Sequence, residues 1–188
     1  KKETPTKKST ASIITGKTTT AKTERGTSIE VQYAVASAGD LIASHNVDLS
    51  KNEAYPEEIQ PRQRERAASE DQINRIAANL EPEFLGESPK VSEGAPIIGP
   101  DMVVESGNGR VIALQRVYKS KKVSAEKYQG WLANNTDKFG IDSKALENIK
   151  DPVLVRIRKT EVDRVKFAQE ANEQTVAALS ATEQAAVD

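Results

Sequence analysis

Short runs of alternating hydrophobic and polar residues are spaced along the chain, and they predict β-strands. Ser28–Ala36 alternates in this way, which is typical of a strand that buries one face. Ala95–Ile98 and Met102–Glu105 are short runs on either side of a Gly-Pro-Asp turn, and this arrangement predicts a hairpin. Val153–Arg158 predicts a further strand. Long stretches with a different periodicity separate these strands.

Those stretches repeat their hydrophobic residues every three or four positions, as amphipathic helices do. Ser69 and Gln72 form a capping box ahead of an apolar stripe, so a helix is predicted to begin at Ser69. Similar start signals predict further helices at Arg110, Ser124, Asp142, Thr160 and Ser180. The succession of strands and helices predicts an α/β domain.

The first 27 residues differ from the rest in composition. Residues 1–27 are rich in Lys and Thr, poor in acids and almost without apolar periodicity, so we predict a disordered basic arm or linker. The 188 residues contain no cysteine and one histidine, which excludes disulfides and thiol nucleophiles and disfavours histidine-based metal sites. Neither a membrane span nor a secretory signal is found, so we expect a cytoplasmic protein with no membrane partner.

The strongest chemical signal is the glycine-rich sequence Ser106–Arg110, which lies between a predicted strand and a predicted helix. Glycines allow positive φ angles and let a ligand approach the backbone closely. The first amides of a helix lack internal partners and lie at the positive end of the helix dipole, so they attract anions. Arg110 adds a guanidinium that can bind phosphate. A tight turn with Arg110 bound to a nearby carboxylate explains the local pattern equally well.

Three weaker signals lie elsewhere in the chain. Residues 60–62, Gln-Pro-Arg, begin an arginine-rich segment that can face a polyanion, although the neighbouring glutamates favour a solvated surface. Glu170–Gln174 groups carboxylate and amide oxygens that can hold Mg²⁺, although polar helix ends rarely do so. Tyr55, near the arginine-rich segment, is a candidate for stacking on a base.

These motifs, in this order, resemble the sequence boxes of ParB-type proteins. Residues 60–62 resemble the Gln-Pro-Arg box, and Ala95–Ile98 with Ser106–Arg110 resembles the Pro-Ile strand pair and the Gly-Glu-Arg-Arg box. Glu170–Gln174 resembles the Glu-Asn-x-Gln-Arg box. The chain is therefore similar to the ParB/sulfiredoxin superfamily, and most similar to the DdrB-like ParB domain of large polyvalent proteins in phages and mobile elements. Asn108 and Gly109 depart from the box, where the family has Glu-Arg.

The resemblance implies a compact α/β (α+β) ParB/sulfiredoxin-like domain over residues 28–188, with a small mixed sheet, flanking helices and a helical C-terminus. A helical insert at about residues 123–150 is extra to that fold. The resemblance also implies Mg²⁺ and a nucleoside triphosphate, CTP or ATP, as ligands. The implied phosphate- and nucleotide-binding residues are Gln60, Arg62, Ser106, Gly107, Asn108, Gly109 and Arg110. The implied metal ligands are Glu170, Asn172 and Glu173.

Two functions fit these expectations in a bacterial or phage-infected cell. The first is a phosphate- or nucleotide-binding module that acts on DNA, with Mg²⁺-dependent NTP hydrolysis or DNA cleavage as its candidate activities. Its candidate catalytic residues are Arg62, which contacts phosphate, and Glu105 and Glu173, which orient water. The second is a non-catalytic DNA- or protein-binding module, one of several domains of a larger phage or plasmid protein. Sulfiredoxin activity is excluded because it needs a cysteine.

Overall fold

The fold is built around one five-stranded sheet. The computed structural model describes residues 12–60 and 66–171, apart from the side chains of residues 66–69. The strands are Ile13–Lys22 (β1), Ser28–Ser37 (β2), Ile97–Ile98 (β3), Val104–Ser106 (β4) and Pro152–Arg158 (β5). They lie in the order β1-β2-β5-β3-β4.

Strands β2 and β5 form the centre of the sheet. β2 pairs antiparallel with β1 on one side and with β5 on the other. β3 pairs parallel with β5 and antiparallel with β4, so the sheet is mixed, as predicted. Nearly all of β5 is buried, because its Val, Leu and Ile side chains pack well on a pleated surface. The predicted strands and the hairpin are confirmed to within a few residues.

The first strand corrects one expectation. A disordered arm over residues 1–27 is wrong for Ile13–Lys22, which forms β1 and pairs with β2 from Ile13 to Lys22. Most of β1 is exposed, so its sequence lacks the apolar alternation that marks a half-buried strand. Its many threonines are β-branched and favour extended backbone. Residues 1–11 of the predicted arm lie outside the described residues.

Helices cover the sheet and connect its strands. They are Arg66–Ala78 (α1), Asn108–Ser120 (α2), Lys122–Asn134 (α3), Thr136–Phe139 (α4), Ser143–Leu146 (α5) and the helical residues 164–171 (α6). α1 begins three residues before Ser69, so the predicted capping box is not the start of that helix. The helical insert expected at about residues 123–150 corresponds to α3, α4 and α5. The helix predicted to begin at Ser180 lies outside the described residues.

Helix α2 is the central helix of the core. Its buried side chains are Val111, Ile112, Ala113, Leu114 and Val117. They share one hydrophobic cluster with residues of α1, α3, β2 and β5. A second cluster joins Phe167 and Ala171 of α6 to Ile97 of β3. Within the described ranges, no helix combines the length and apolar character needed to cross a membrane.

The four tyrosines of the chain give a prediction about pH. Burial is the main cause that raises the pKa of Tyr33, Tyr118 and Tyr128, and it raises the pKa of Tyr55 to about 12. Tyrosines in the unfolded state have a pKa of about 10, as free side chains do. As the pH rises, the unfolded state therefore loses its tyrosine protons before the folded state does. The buried tyrosines therefore make their full contribution to the free energy of unfolding below about pH 10. This contribution falls as the pH rises further.

We expect the folded protein to show almost no phenolate absorbance at about pH 10, with ionisation appearing together with alkaline unfolding. Ultraviolet absorbance and circular dichroism measured along one pH titration test this. The same titration in concentrated guanidinium serves as the control. Phenolate that appears near pH 10, well before unfolding, would contradict the burial of these side chains.

Candidate functional site

The N-terminus of α2 has three amides without partners in the described part of the chain. Gly107 precedes the helix in the left-handed conformation, with φ 101° and ψ 30°, and no side chain caps the helix. The first helical bond runs from the Val111 amide to the Gly107 carbonyl at 3.0 Å. The amides of Asn108, Gly109 and Arg110 therefore lack an acceptor among the described residues. This is the geometry of a helix end that attracts an anion.

Arg110 lies in the first turn of α2, as predicted, and folds back towards the start of the helix. A Cβ at Gly107 would lie 2.8 Å from Arg110 Nη2, so the guanidinium covers this glycine. Arg110 Nη1 donates a hydrogen bond to the Gly94 carbonyl. No described carboxylate forms a salt bridge with it, so the alternative of a carboxylate-bound arginine is not observed. Burial, followed by the charge of Arg156, lowers the pKa of Arg110 to about 9, which leaves the side chain cationic at neutral pH.

A second arginine, Arg156 of β5, is completely buried beside this site. Its Nε donates to the Ala95 carbonyl at 2.7 Å, and its Nη1 donates to the carbonyls of Ser88 and Lys90 at 3.0 and 3.1 Å. Its Nη2 donates to the Glu93 carbonyl. All of these described hydrogen bonds of Arg156 go to backbone oxygens of the loop of residues 86–95, and they hold this loop in place. This role could not be predicted from the sequence, because the carbonyls come from a distant segment.

The side chain of Asn108 connects the start of α2 to the loop that precedes α1 through hydrogen bonds. The Ser44 amide donates to Asn108 Oδ1 at 2.8 Å, and Asn108 Nδ2 donates to the Tyr55 hydroxyl at 3.2 Å. The Tyr55 hydroxyl donates to the Val104 carbonyl at 2.7 Å. Gln60 Nε2 donates to the Ser44 carbonyl at 3.1 Å, which brings the first motif next to the second. Tyr55 is buried, so the expectation that it stacks on a base is wrong.

Ser106 and Gly109, the other two residues of the turn, offer no side chain to a ligand. Ser106 is buried, and its hydroxyl donates to the Val91 carbonyl at 2.9 Å. A Cβ at Gly109 would lie 3.2 Å from Gln72 Oε1, so α1 passes close to this part of the helix. A ligand at the turn would therefore meet amides and the Arg110 guanidinium.

Glu105 occupies a buried ion-pair network instead of an open position. Arg158 donates to Glu105 Oε1 from Nε at 2.7 Å and to Oε2 from Nη2 at 2.8 Å. Arg164 Nε donates to Oε2 at 2.9 Å, and its Nη2 pairs with Asp101 at 2.7 Å. The bonds to Glu105 are the main cause that raises the pKa of Arg158. These contacts give Glu105 a structural role, where a water-orienting role was expected.

The third motif is only partly described. Glu170 lies in α6 and accepts a hydrogen bond from the Thr23 hydroxyl, just after β1. No described contact links Glu170 to the start of α2. Arg62, Asn172 and Glu173 lie outside the described residues, so their predicted roles stay predictions. Within the described ranges, no three histidine, aspartate or glutamate residues are grouped so that they could hold a metal ion.

Arg110 also lines a cavity of about 420 Å³ between α1 and the 86–95 loop. Gln72, Ser88, Ser92 and Gly94 contribute polar groups to its wall. The remaining charged residues in the lining are Glu81, Glu83, Glu87 and Glu93. The cavity lining therefore combines one cation beside the helix start with four carboxylates, whose charges repel a free polyanion.

The site thus belongs to an α/β domain in which a glycine-rich strand-to-helix turn presents unpaired amides. The model of the ddrB-like ParB superfamily domain matches residues 24–159, and the chain belongs to this family. The match contains the first two motifs and ends before α6, and it begins after β1. No curated protein and no solved structure matches the chain.

The ion-pair network around Glu105 gives a prediction about stability. Glu105→Gln leaves Arg158 with a buried charge and no carboxylate, so we expect the free energy of unfolding to fall by about 3–5 kcal/mol. Asp101→Asn, at the exposed end of the network, should cost less than about 1 kcal/mol. Urea unfolding of the two variants measures both values. Equal losses would show that Glu105 is not the centre of the network.

Proposed function

We propose that the N-terminus of α2 and the Arg110 guanidinium bind the phosphates of a nucleotide. The proposal rests on three amides without acceptors among the described residues, next to an arginine whose described hydrogen bond goes to a carbonyl and not to a carboxylate. The family to which the chain belongs supports it. The module would act on DNA within a larger phage, plasmid or other mobile-element protein, which is the setting that the sequence resemblance implies.

The recognition of phosphate follows from simple electrostatics. Three backbone amides and the helix dipole supply partial positive charge that is fixed in position. Arg110 supplies a full charge, and it can exchange the Gly94 carbonyl for phosphate oxygens, which are stronger acceptors. Arg156 adds positive potential nearby without contacting the ligand, because four of its donor groups are engaged by the loop. Its charge compensates in part for the Glu-Arg pair that the turn lacks.

Magnesium is the ion expected with such a ligand. Mg²⁺ keeps several waters and is usually held by one or two carboxylates together with substrate phosphates. This mode of binding fits a site that has no preformed group of metal ligands among the described residues. The bound ion would also reduce the repulsion between the phosphates and Glu81, Glu83, Glu87 and Glu93. Glu170, Asn172 and Glu173 stay the proposed ligands on the protein side.

The described residues support nucleotide binding better than NTP hydrolysis or DNA cleavage. Both oxygens of Glu105 are engaged by arginines, so this carboxylate is poorly placed to activate water. Arg62 and Glu173 are left as the candidate catalytic residues, and Gln60 acts by positioning Ser44. If hydrolysis occurs by holding the phosphates in position and stabilising their charge, it would need no further group from the glycine-rich turn.

Calorimetric titration of the domain with CTP, ATP and inorganic triphosphate, each with and without Mg²⁺, tests the proposal. We expect saturable binding that Mg²⁺ strengthens by about tenfold or more. Arg110→Ala should weaken it by at least about tenfold, because it removes a charge-assisted contact. Gly107→Ala should weaken it similarly, since a side chain there is strained at φ 101° and meets the guanidinium.

Each variant has a matched control. Lys119→Ala removes the same charge from the exposed last turn of α2. Gly130→Ala adds a methyl group in α3 where it meets nothing within 4 Å. Both controls should bind as the parent does. If no ligand binds saturably, or if Arg110→Ala and Lys119→Ala behave alike, the proposal is wrong. DNA binding that Arg110→Ala leaves intact would favour the non-catalytic binding module.

A further inference from the structure

We propose that the surface around Phe84 is a docking site for a basic segment of a partner protein, one in which lysines or arginines flank an apolar side chain. This Phe84 surface consists of Phe84, Glu81, Glu83, Glu87 and the adjoining cavity. It goes beyond nucleotide binding, because none of these four side chains belongs to the proposed phosphate contacts, although Arg110 also lines the adjoining cavity.

Phe84 is the first reason for the proposal. Its side chain is 76% exposed, although only 4% of the chain is aromatic and the other two phenylalanines are buried. Exposed aromatic side chains are common anchors of protein interfaces because they bury a large area at a small cost in entropy. An isolated surface phenylalanine needs no explanation, but this one borders a cavity of about 420 Å³.

The local backbone fixes Phe84 in its outward position. It lies in a short 3₁₀-helix, Pro82–Leu85, whose two end residues are buried. Gly86 follows, and a Cβ there would lie 2.9 Å from the Trp131 ring, so the segment is tightly packed against α3. With both flanks held, Phe84 cannot turn into the core. The anchor is therefore already ordered before a partner arrives.

The charges around Phe84 select the partner. Glu81, Glu83 and Glu87 are exposed, and none of them forms a salt bridge within the described part of the chain. Among the described residues that line the cavity, Arg110 is the only cation, and it is bound to the Gly94 carbonyl. Lysine and arginine side chains complement these carboxylates and can also lie against the Phe84 ring. DNA is repelled by the same charges.

The cavity adds room for an apolar side chain between the basic ones. Ile76 and Leu85 contribute apolar surface to its wall, next to Phe84. A segment of extended backbone places residues i−2, i and i+2 on one face, so an apolar residue can enter the cavity while basic residues two positions before and after it meet the carboxylates. This combination of apolar and acidic groups favours a mixed segment over a purely cationic one.

Fluorescence anisotropy with a labelled ten-residue peptide, in which Lys or Arg lies two residues before and two residues after a central Leu and the other positions are Ser, tests the proposal on the full chain. We expect saturable binding that weakens as salt increases, because the ion pairs are exposed. Phe84→Ala should weaken it by about tenfold or more, and so should the combined Glu81→Gln, Glu83→Gln and Glu87→Gln variant. A peptide with Glu in place of every Lys and Arg should not bind.

Matched variants separate the proposed surface from general stickiness. Val123→Ala removes an 80% exposed hydrophobic side chain from α3, and Glu30→Gln, Glu126→Gln and Glu147→Gln together remove the same charge elsewhere. Both should bind within about twofold of the parent. Equal losses in matched variants, or failure of the peptide to saturate, would overturn the proposal. Failure of nucleotide binding leaves this result unaffected, because the two tests use different ligands and different variants.

Discussion

A single buried guanidinium organises the region around the candidate site. Arg156 has no exposed surface, and its bonds to the carbonyls of Ser88, Lys90, Glu93 and Ala95 fix the 86–95 loop against β5. A buried charge is tolerated only when its donors are hydrogen-bonded. The loop carbonyls therefore stabilise the buried guanidinium, and the guanidinium fixes the loop. The loop in turn presents the Gly94 carbonyl that holds Arg110 at the start of α2.

Charge is distributed unequally among three places in this region. Around Glu105, Arg158 and Arg164 are paired with the carboxylates of Glu105 and Asp101, and the result is a charge-balanced structural network. At the start of α2, the hydrogen bonds of Arg110 and Arg156 to described residues all go to carbonyls, so their positive charge is not neutralised by a described carboxylate. Around Phe84, carboxylates remain without partners in the described part of the chain. The sign of the unneutralised charge thus differs between the proposed anion site and the proposed docking surface, although Arg110 and Phe84 line the same cavity.

The sequence predicted those parts of the molecule that depend on local patterns. β2, the hairpin and β5 bury their apolar residues regularly, and the glycine-rich turn carries its own helix-start signal, so all were found. β1 was missed because an exposed strand has no apolar alternation. The contacts of Asn108, Glu105 and Arg156 could not be predicted, since each joins residues more than 50 positions apart. The ordered motifs identified the family because their order, and not any single motif, is distinctive.

The proposed anion-binding part of this domain consists of the amides of Asn108, Gly109 and Arg110 together with the Arg110 guanidinium. Nuclear magnetic resonance of the labelled protein during addition of inorganic pyrophosphate and Mg²⁺ tests it residue by residue. We expect saturating shifts concentrated in these three amides and in the Arg110 side chain, with little change at Lys119. Shifts that are scattered over the surface, or that never saturate, would contradict this proposal.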